Sequence, residues 1–169
     1  MSNFELARAR AELQSIGADW ALLTSPENVT YVSQYEVPVE FGPLAQLNYG
    51  PVMALFGVNE TTTLLLANRY YAGSARQQSS FDEVIGFGIL EVFEPFIPQV
   101  ARENFVAALH QMLQQTLSSK GKIKVAVEER TLPLVAQRVI QETLPNVELV
   151  EASGALARAR MIKTEREVA

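Results

Sequence analysis

The chain of 169 residues contains no cysteine and a single histidine, His110. Without cysteine it cannot form a disulfide, a thiolate zinc site or a cysteine nucleophile. A lone histidine cannot build a histidine-rich metal site, and no carboxylate stands at ligand spacing beside His110. Because a functional site needs several converging groups, we interpret His110 as a structural or surface residue, with catalysis by His110 as the alternative.

Long apolar runs and an excess of positive charge are missing as well. No apolar run approaches the roughly 20 residues of a membrane-spanning helix. The N-terminus lacks the basic flank and apolar stretch of a signal peptide. The net charge of −5 argues against nucleic acid, because phosphate binding needs clustered lysine and arginine. We therefore expect a cytoplasmic protein that binds neither nucleic acid nor a membrane.

What is present is the composition of a globular domain with a substantial core. Apolar residues make up 48% and charged residues 20% of the chain. An amphipathic helix opens with a capping box of Ser2 and Glu5 and ends at Gly17, and a second, short helix has Pro26 at its first position. Apolar or alternating runs predict strands at residues 20–24, 52–58, 62–67, 83–87, 123–127 and 147–150.

Two longer amphipathic helices are predicted around residues 105–113 and 132–140, and a shorter helix covers residues 153–161. The neighbouring strands at 52–58 and 62–67 indicate an antiparallel hairpin, whereas helices and strands alternate later in the chain. This order predicts an α/β domain with a mixed sheet of five to six strands and helices on both faces.

Two motifs of small or basic residues are weak indicators of function. Gly86-Phe87-Gly88 follows a strand, but the third glycine of a dinucleotide site is missing, and we predict a strand end with a turn. Lys122 and Lys124 alternate with apolar residues, which predicts a half-buried strand whose lysine face meets water.

Two pairs of adjacent carboxylates are candidates for acid–base groups. They are Asp82 with Glu83 and Glu128 with Glu129. Neighbours in a strand point to opposite faces, so neither pair converges on one substrate. We interpret both pairs as solvated surface charge.

Residues 34–50 form the segment of greatest functional interest. They have no clear period, and loops longer than roughly 12–15 residues are uncommon and often functional. Exposed aromatic side chains in such a loop would mark a binding surface. The alternative is that the apolar side chains only pack the loop onto the core, namely Tyr35, Phe41, Leu44, Leu47 and Tyr49.

The last residues indicate a second folding unit. Thr164 and Glu167 form a capping box, yet Ala169 follows after about one helical turn, too short for an isolated helix. We expect residues 1–161 to form one domain and residues 162–169 to be a linker with the first turn of a helix that belongs to an absent C-terminal domain.

Several phrases resemble those of a known family, and together they span nearly the whole chain: residues 19–32, 122–128, 144–150 and 159–167. The chain resembles the N-terminal domain of the creatinase, prolidase and aminopeptidase P group of pita-bread metallohydrolases. Its closing phrase matches the family's junction pattern, Arg-x-x-Lys-Ser/Thr-x-x-Glu, through Arg160, Lys163, Thr164 and Glu167. One departure is Gln34, which stands where the family often has glycine.

The resemblance implies a ribonuclease-H-like mixed sheet and a role without catalysis. The family's metal ligands lie in the C-terminal domain, so we expect no catalytic, cofactor-binding or metal-binding residue in this chain. The parent would hold two divalent ions, Mn, Co or Zn, or none if it is creatinase-like. The family's N-terminal domain mediates dimer contacts and partly covers the active site, which makes Tyr35, Phe41 and Tyr49 candidates for a substrate-pocket cover.

We therefore expect the non-catalytic N-terminal domain of a metallohydrolase of the Xaa-Pro dipeptidase, aminopeptidase P or creatinase type. Its partners would be its own C-terminal catalytic domain and a second subunit in a homodimer. The fragment alone would be inactive, and the substrate of the parent stays open. The alternative is a stand-alone binding or assembly module with the same fold and no catalytic partner.

Overall fold

The computed structural model describes residues 3–39, 49–88 and 98–161. The helices are α1 (Phe4–Ser15), α2 (Pro26–Ser33), α3 (Ala72–Gln78), α4 (Pro98–Leu117), α5 (Leu134–Thr143) and α6 (Ser153–Arg160), and a 3₁₀ turn (Arg69–Tyr71) precedes α3. The strands are β1 (Trp20–Leu23), β2 (Met53–Gly57), β3 (Thr63–Asn68), β4 (Glu83–Phe87), β5 (Ile123–Val127) and β6 (Val147–Glu151). Phe41 and the predicted linker at 162–169 lie outside the described residues.

The six strands form one mixed sheet in the order β4-β3-β2-β1-β5-β6. β2 pairs antiparallel with β1 and β3, while β1–β5, β5–β6 and β3–β4 are parallel pairs. β2 therefore runs opposite to the five other strands of the described sheet. We call the side of the sheet where those five strands end the carboxyl edge, and the side where they begin the amino edge. Neither name refers to the outer strands β4 and β6. The predicted mixed α/β sheet is confirmed.

Helices cover both faces of this sheet. Alternate side chains of β1 show the division, because Ala21 and Leu23 belong to the core under α1, α2, α3 and α6, whereas Trp20 and Leu22 belong to the core under α4 and α5. β1, β2 and β3 are buried at every position. Burial on both faces explains why these strands are apolar except for Thr63 and Asn68 at the two ends of β3.

β5 is more deeply buried than its sequence predicts. Lys124 is partly exposed, and its Nζ lies 3.3 Å from Glu148 Oε1, but Ala126 on the same strand face is fully buried. The prediction that this face meets water is therefore wrong beyond Lys124. The reason is that β5 lies between β1 and β6, where a helix layer covers each face of the sheet.

Short polar side chains begin the first two helices. Asn3 caps α1, and its Oδ1 accepts the Leu6 N–H at 2.9 Å, so the predicted cap at Ser2 is wrong by one residue. Ser25 caps α2, and Pro26 occupies the first helical position, as predicted.

Both of these helices end beside a residue with left-handed backbone. Gly17 follows α1 with a φ of 75°, which glycine adopts without strain. After α2 the same role falls to Gln34, whose φ is 62° and whose N–H donates to the Thr30 carbonyl at 2.9 Å. A residue with a Cβ is strained in this conformation by about 1–2 kcal/mol. Gln34 thus makes the left-handed turn without the glycine that the family often has there.

Candidate functional site

The carboxyl edge of the sheet holds a small cavity. Five strands that run in the same direction end here, and open α/β sheets commonly bind ligands beyond the carboxyl ends of their strands. The cavity has a volume of about 190 Å³. Its walls are mainly apolar, with three polar side chains, and consist of Thr24, Pro26, Val37, Pro38, Gly50, Pro51, Val52, Asn68, Tyr71 and Phe87. An apolar wall with a few polar groups is typical of a binding site.

Two tyrosines beside the cavity reach solvent. Tyr49 is 41% exposed and precedes Gly50 of the cavity wall, and Tyr70 is 56% exposed and precedes Tyr71. The rings of Tyr70 and Tyr71 meet edge to face, with centroids 5.0 Å apart. Exposed aromatic side chains next to an apolar cavity favour a role of this edge in binding.

The three predicted cover residues have different surroundings. Tyr35 is 1% exposed and belongs to the core under α1 and α2. Tyr49 keeps part of its ring in solvent and contacts the Phe105 ring at a centroid distance of 6.3 Å. Phe41 lies outside the described residues. Of the two that are described, Tyr49 is the one at the surface, and a covering role for any of the three stays a prediction.

Glu128 is a buried charge at the carboxyl edge. It directly follows β5 and is 3% exposed. Its Oε2 accepts the N–H groups of Thr24 at 2.7 Å and of Ser25 at 2.9 Å, and its Oε1 accepts the Asn28 side-chain amide at 2.7 Å. The interpretation of Glu128 as surface charge is therefore wrong. The other three carboxylates of the two pairs are exposed as predicted, namely Asp82, Glu83 and Glu129.

The burial of Glu128 has a physical reason. The first N–H groups of a helix have no partner within the helix, and its N-terminus carries partial positive charge. A carboxylate beside α2 meets both needs, and its charge-assisted hydrogen bonds offset the cost of burial. Strand periodicity could not reveal this role. It assigns residues to the two faces of β5, whereas Glu128 lies beyond the end of that strand. A usable signal was that Glu128 directly follows a predicted strand, just as Ser25 directly follows the predicted strand at residues 20–24.

α2 connects Glu128 to the end of α6. Asn28 donates to Glu128 through Nδ2 and accepts Arg160 Nη1 through Oδ1 at 3.2 Å. Almost one turn later, the Tyr31 hydroxyl donates to the Ala159 carbonyl at 2.9 Å. The phrase at residues 19–32 therefore contacts Ala159 and Arg160, the first two residues of the phrase at 159–167.

The amino edge has a wider and more polar hollow of about 430 Å³. Here Lys120 Nζ lies 2.7 Å from Glu60 Oε1 and 5.6 Å from the centre of the Trp20 ring. Arg10 donates to the Glu60 carbonyl at 2.8 Å. Burial lowers the pKa of the Arg10 guanidinium, and the charge of Asp82 opposes that shift. These contacts tie the turn between β2 and β3 to α1 and to the residues after α4.

His110 and the Gly86-Phe87-Gly88 motif have ordinary structural surroundings. His110 is exposed on α4, which agrees with its interpretation as a surface residue. β4 ends at Phe87, and Gly88 has a φ of 89°, so the predicted strand end is confirmed. In residues 3–39, 49–88 and 98–161, no three His, Asp or Glu side chains are grouped so that they could hold a metal ion. Within the same ranges, no helix combines the length and apolarity that crossing a bilayer requires.

Sequence comparisons identify related proteins. Residues 5–162 match the family model of the creatinase/prolidase N-terminal domain. A creatinase from Bacillus sp. (strain B-0618) is 28% identical over 161 residues, which amount to 95% of this chain and 34% of that protein. The chain thus spans about a third of the length of this relative.

Solved structures share the fold at lower identity. The N-terminal domain of the cytoplasmic peptidase PepQ from Mycobacterium tuberculosis H37Rv has a TM-score of 0.62 at 20% identity, over 94% of this chain and 100% of that chain. A proline dipeptidase from Streptococcus pneumoniae TIGR4 has a TM-score of 0.65 at 18% identity, over 94% of this chain and 98% of that chain. These two similarities concern the fold alone. Since the family model covers nearly the whole chain, the protein belongs to the creatinase/prolidase N-terminal domain family.

Proposed function

We propose that this chain is the non-catalytic N-terminal domain of a larger hydrolase of the peptidase or creatinase type. The observation that carries the proposal is the family match over residues 5–162. The chain also spans about a third of the creatinase that it resembles, which leaves room for a catalytic domain in the parent. That domain would supply the catalytic residues and two divalent metal ions, or no metal if the parent is creatinase-like.

The finer proposal is that the carboxyl edge covers the active site and contributes to a homodimer. Its support is the apolar cavity of about 190 Å³ and the exposure of Tyr49 and Tyr70 beside it. The segment 34–50 adjoins this cavity through Val37, Pro38 and Gly50. Tyr35, Phe41 and Tyr49 remain the cover candidates, and Tyr49 has the exposure that a contact with another domain or subunit needs. A cytoplasmic location fits the lack of cysteine and the cytoplasmic peptidase among the structural relatives.

The non-catalytic role is tested with the purified chain. We expect calorimetry with Mn²⁺, Co²⁺ or Zn²⁺ to show no stoichiometric binding, and we expect no hydrolysis of Gly-Pro or creatine. A complete prolidase with its catalytic domain serves as the positive control. One ion bound per chain together with turnover of either substrate would contradict the proposal.

The covering role is tested in the full-length parent. Tyr49→Ala is expected to raise KM several-fold with a smaller effect on kcat, because the substituted residue would contact the bound substrate or close the pocket over it. His110→Ala is the matched control, since His110 is also exposed but lies on α4. Equal kinetic constants for the Tyr49 variant, the control and the parent would exclude the covering role of Tyr49.

The alternative function is a stand-alone binding or assembly module. The same cavity and exposed tyrosines favour it, because they are also what a binding module would present. The reading frame after the codon for Ala169 separates the two proposals. A further domain of roughly 200 residues rich in His, Asp and Glu supports the hydrolase, whereas an immediate stop codon supports the module.

A further inference from the structure

The last turn of α6 is held by side chains from α2. The final carbonyls of a helix have no partner within the helix and are usually satisfied by water or by a cap. The Ala159 carbonyl instead accepts the Tyr31 hydroxyl at 2.9 Å in a buried hydrogen bond. Tyr31 and Ala159 are 128 positions apart in the chain, so this cap depends on the tertiary fold.

Arg160 adds a second contact between the same two helices. A cation near a helix C-terminus interacts favourably with the helix dipole. Arg160 stands in the last turn of α6, and its Nη1 donates to Asn28 Oδ1 at 3.2 Å. The end of α6 is therefore attached to α2 both through its backbone and through its last side chain.

Glu128 sets the orientation of the Asn28 side-chain amide toward Arg160. An asparagine amide has a donor end and an acceptor end. The carboxylate of Glu128 accepts hydrogen bonds only, so the donor end of Asn28 faces Glu128 at 2.7 Å. The acceptor end then faces Arg160. Glu128 also accepts the backbone N–H groups of Thr24 and Ser25 before α2. One carboxylate therefore holds both the start of α2 and the side chain of Asn28.

We infer that α2 is a clamp that sets the direction in which the chain leaves α6, with Asn28 and Tyr31 as its positioning residues. This inference rests on the proposed function, because a defined exit direction matters when a further domain follows. The clamp would give that domain one orientation relative to the sheet. Near the same end of α6, the contact of Arg158 with Glu12 at 2.7 Å is exposed to solvent and is therefore expected to contribute little.

The clamp can be measured in this chain by spin labelling. The chain has no native cysteine, so labels attach only where cysteine is introduced. Met161→Cys places one label directly after α6, where the side chain is 79% exposed, and His110→Cys places a second on the exposed surface of α4. Pulsed electron paramagnetic resonance then gives the distribution of distances between the two labels. Because α6 also buries Ala155 and Leu156 in the core under α1, the distribution is expected to be narrow in the labelled chain, and the clamp is judged by how much the variants broaden it.

Three variants in this labelled background test the clamp. Asn28→Ala removes the contacts to Glu128 and Arg160, and Tyr31→Phe removes only the hydroxyl that caps Ala159. We expect the distribution to broaden about twofold or more for Asn28→Ala and to a smaller extent for Tyr31→Phe, because local opening of a helix end follows the loss of its contacts. Arg158→Ala is the matched control on the same helix and is expected to leave the width unchanged.

These measurements test the clamp in this chain alone, and no catalytic domain is needed. Equal widths for the labelled chain and for the folded Asn28→Ala and Tyr31→Phe variants would overturn the inference. Broadening by Arg158→Ala as large as that by Asn28→Ala also overturns it. If thermal melting shows that Asn28→Ala does not fold, Tyr31→Phe decides alone. A failed clamp leaves the proposed N-terminal-domain function untouched, since that function is judged by metal binding and hydrolysis.

Discussion

Two glutamates at the carboxyl edge each serve the start of a helix, and they differ in burial. Glu128 is buried and accepts the N–H groups of Thr24 and Ser25 before α2. Glu151 is exposed and accepts the N–H of Ser153 at 2.8 Å at the start of α6. Both use the attraction between a carboxylate and the free N–H groups of a helix N-terminus. Burial therefore determines how much this contact contributes to stability, because water can replace the exposed hydrogen bonds but not the buried ones.

The carboxyl edge therefore has a buried centre and an exposed periphery. The centre comprises β1, β5 and α2, where Glu128 joins three segments of the chain. The periphery comprises the edge strand β6 and the start of α6, whose polar side chains face water. Substitutions at the centre should therefore lower the free energy of unfolding by leaving buried polar groups unsatisfied or by crowding buried side chains. Substitutions at the periphery should change it only through exposed charges that solvent screens.

The largest expected effect is that of Glu128→Ala. The substitution leaves the Thr24 and Ser25 N–H groups and the Asn28 amide without their buried acceptor, so we expect a loss of about 3–5 kcal/mol in the free energy of unfolding. Urea unfolding measures this loss. Glu129→Ala, which removes the exposed neighbouring carboxylate, is the matched control and should change stability by less than about 0.5 kcal/mol. Equal losses for the two variants would mean that burial does not distinguish these carboxylates.

A second closely packed point of the same edge is Gly50, which is partly buried. A Cβ at this position would lie 2.2 Å from Phe105 Cε2, and the Phe105 ring is fully buried. We expect Gly50→Ala to lower the free energy of unfolding by about 1–3 kcal/mol, because the packed ring cannot move away without strain. Gly73→Ala is the control: Gly73 lies in α3 with nothing within 4 Å of the added Cβ, and alanine there should stabilise by up to about 1 kcal/mol. A neutral Gly50→Ala would contradict the tight packing of this edge.

Strain at the far end of α2 offers a gain in stability rather than a loss. Gln34 has a φ of 62°, where glycine is unstrained. We expect Gln34→Gly to raise the free energy of unfolding by about 1 kcal/mol, the strain relief being partly offset by the greater freedom of glycine in the unfolded chain. Gln34→Ala keeps a Cβ and should leave stability nearly unchanged in the same thermal unfolding experiment. If both variants stabilise equally, backbone strain at residue 34 is not the cause.

The smallest expected effect concerns the exposed Glu151 and depends on pH. Desolvation alone would raise the pKa of Glu151, but hydrogen bonds from Ser153, Gly154 and Glu129 hold it below its ordinary value of 4.5. A carboxyl group whose pKa is lower in the folded state stabilises the fold above the unfolded pKa, and this contribution is lost as the pH falls through the folded pKa. We expect Glu151→Gln to lower stability by less than about 1 kcal/mol at neutral pH, since solvent screens the exposed group.

The measurement is urea unfolding of the unsubstituted chain and of the Glu151→Gln variant. It is made at neutral pH and again at about pH 3, where free carboxyl groups are mostly protonated. The difference between the two proteins should shrink on acidification. A difference that stays constant or grows in acid would show that the charge of Glu151 does not stabilise α6.

Local sequence patterns predicted the elements well, because each pattern reports the environment of one segment. The apolar run at Trp20–Leu23 and the Ser25-Pro26 start of α2 both appear in the structure as predicted. The same local logic failed for Glu128 and for the face of β5 that carries Ala126. In both cases the deciding neighbour is a helix or strand from a distant part of the chain, about which a strand's own period contains no information.

The candidate site was predictable in outline only. The loop at 34–50 was recognised from its length and its aromatic residues, and Tyr49 lies beside the cavity that the structure reveals. Tyr35 comes from the same loop but is buried, since the sequence of a loop does not state which of its aromatic residues meet the core. The cavity itself joins residues from six separate stretches between Thr24 and Phe87, and no spacing rule connects them.

The order of helices and strands, the mixed α/β architecture and the family of this chain could all be inferred from its amino acids. Apolar periodicity and helix caps encode these features within a few neighbouring residues. The burial of Glu128 beside α2 and the contact of Asn28 with Arg160, 132 positions away, became visible only in the folded chain. The physical reason is that hydrogen bonds between distant residues depend on which strands become neighbours, and that choice is made when the whole sheet assembles.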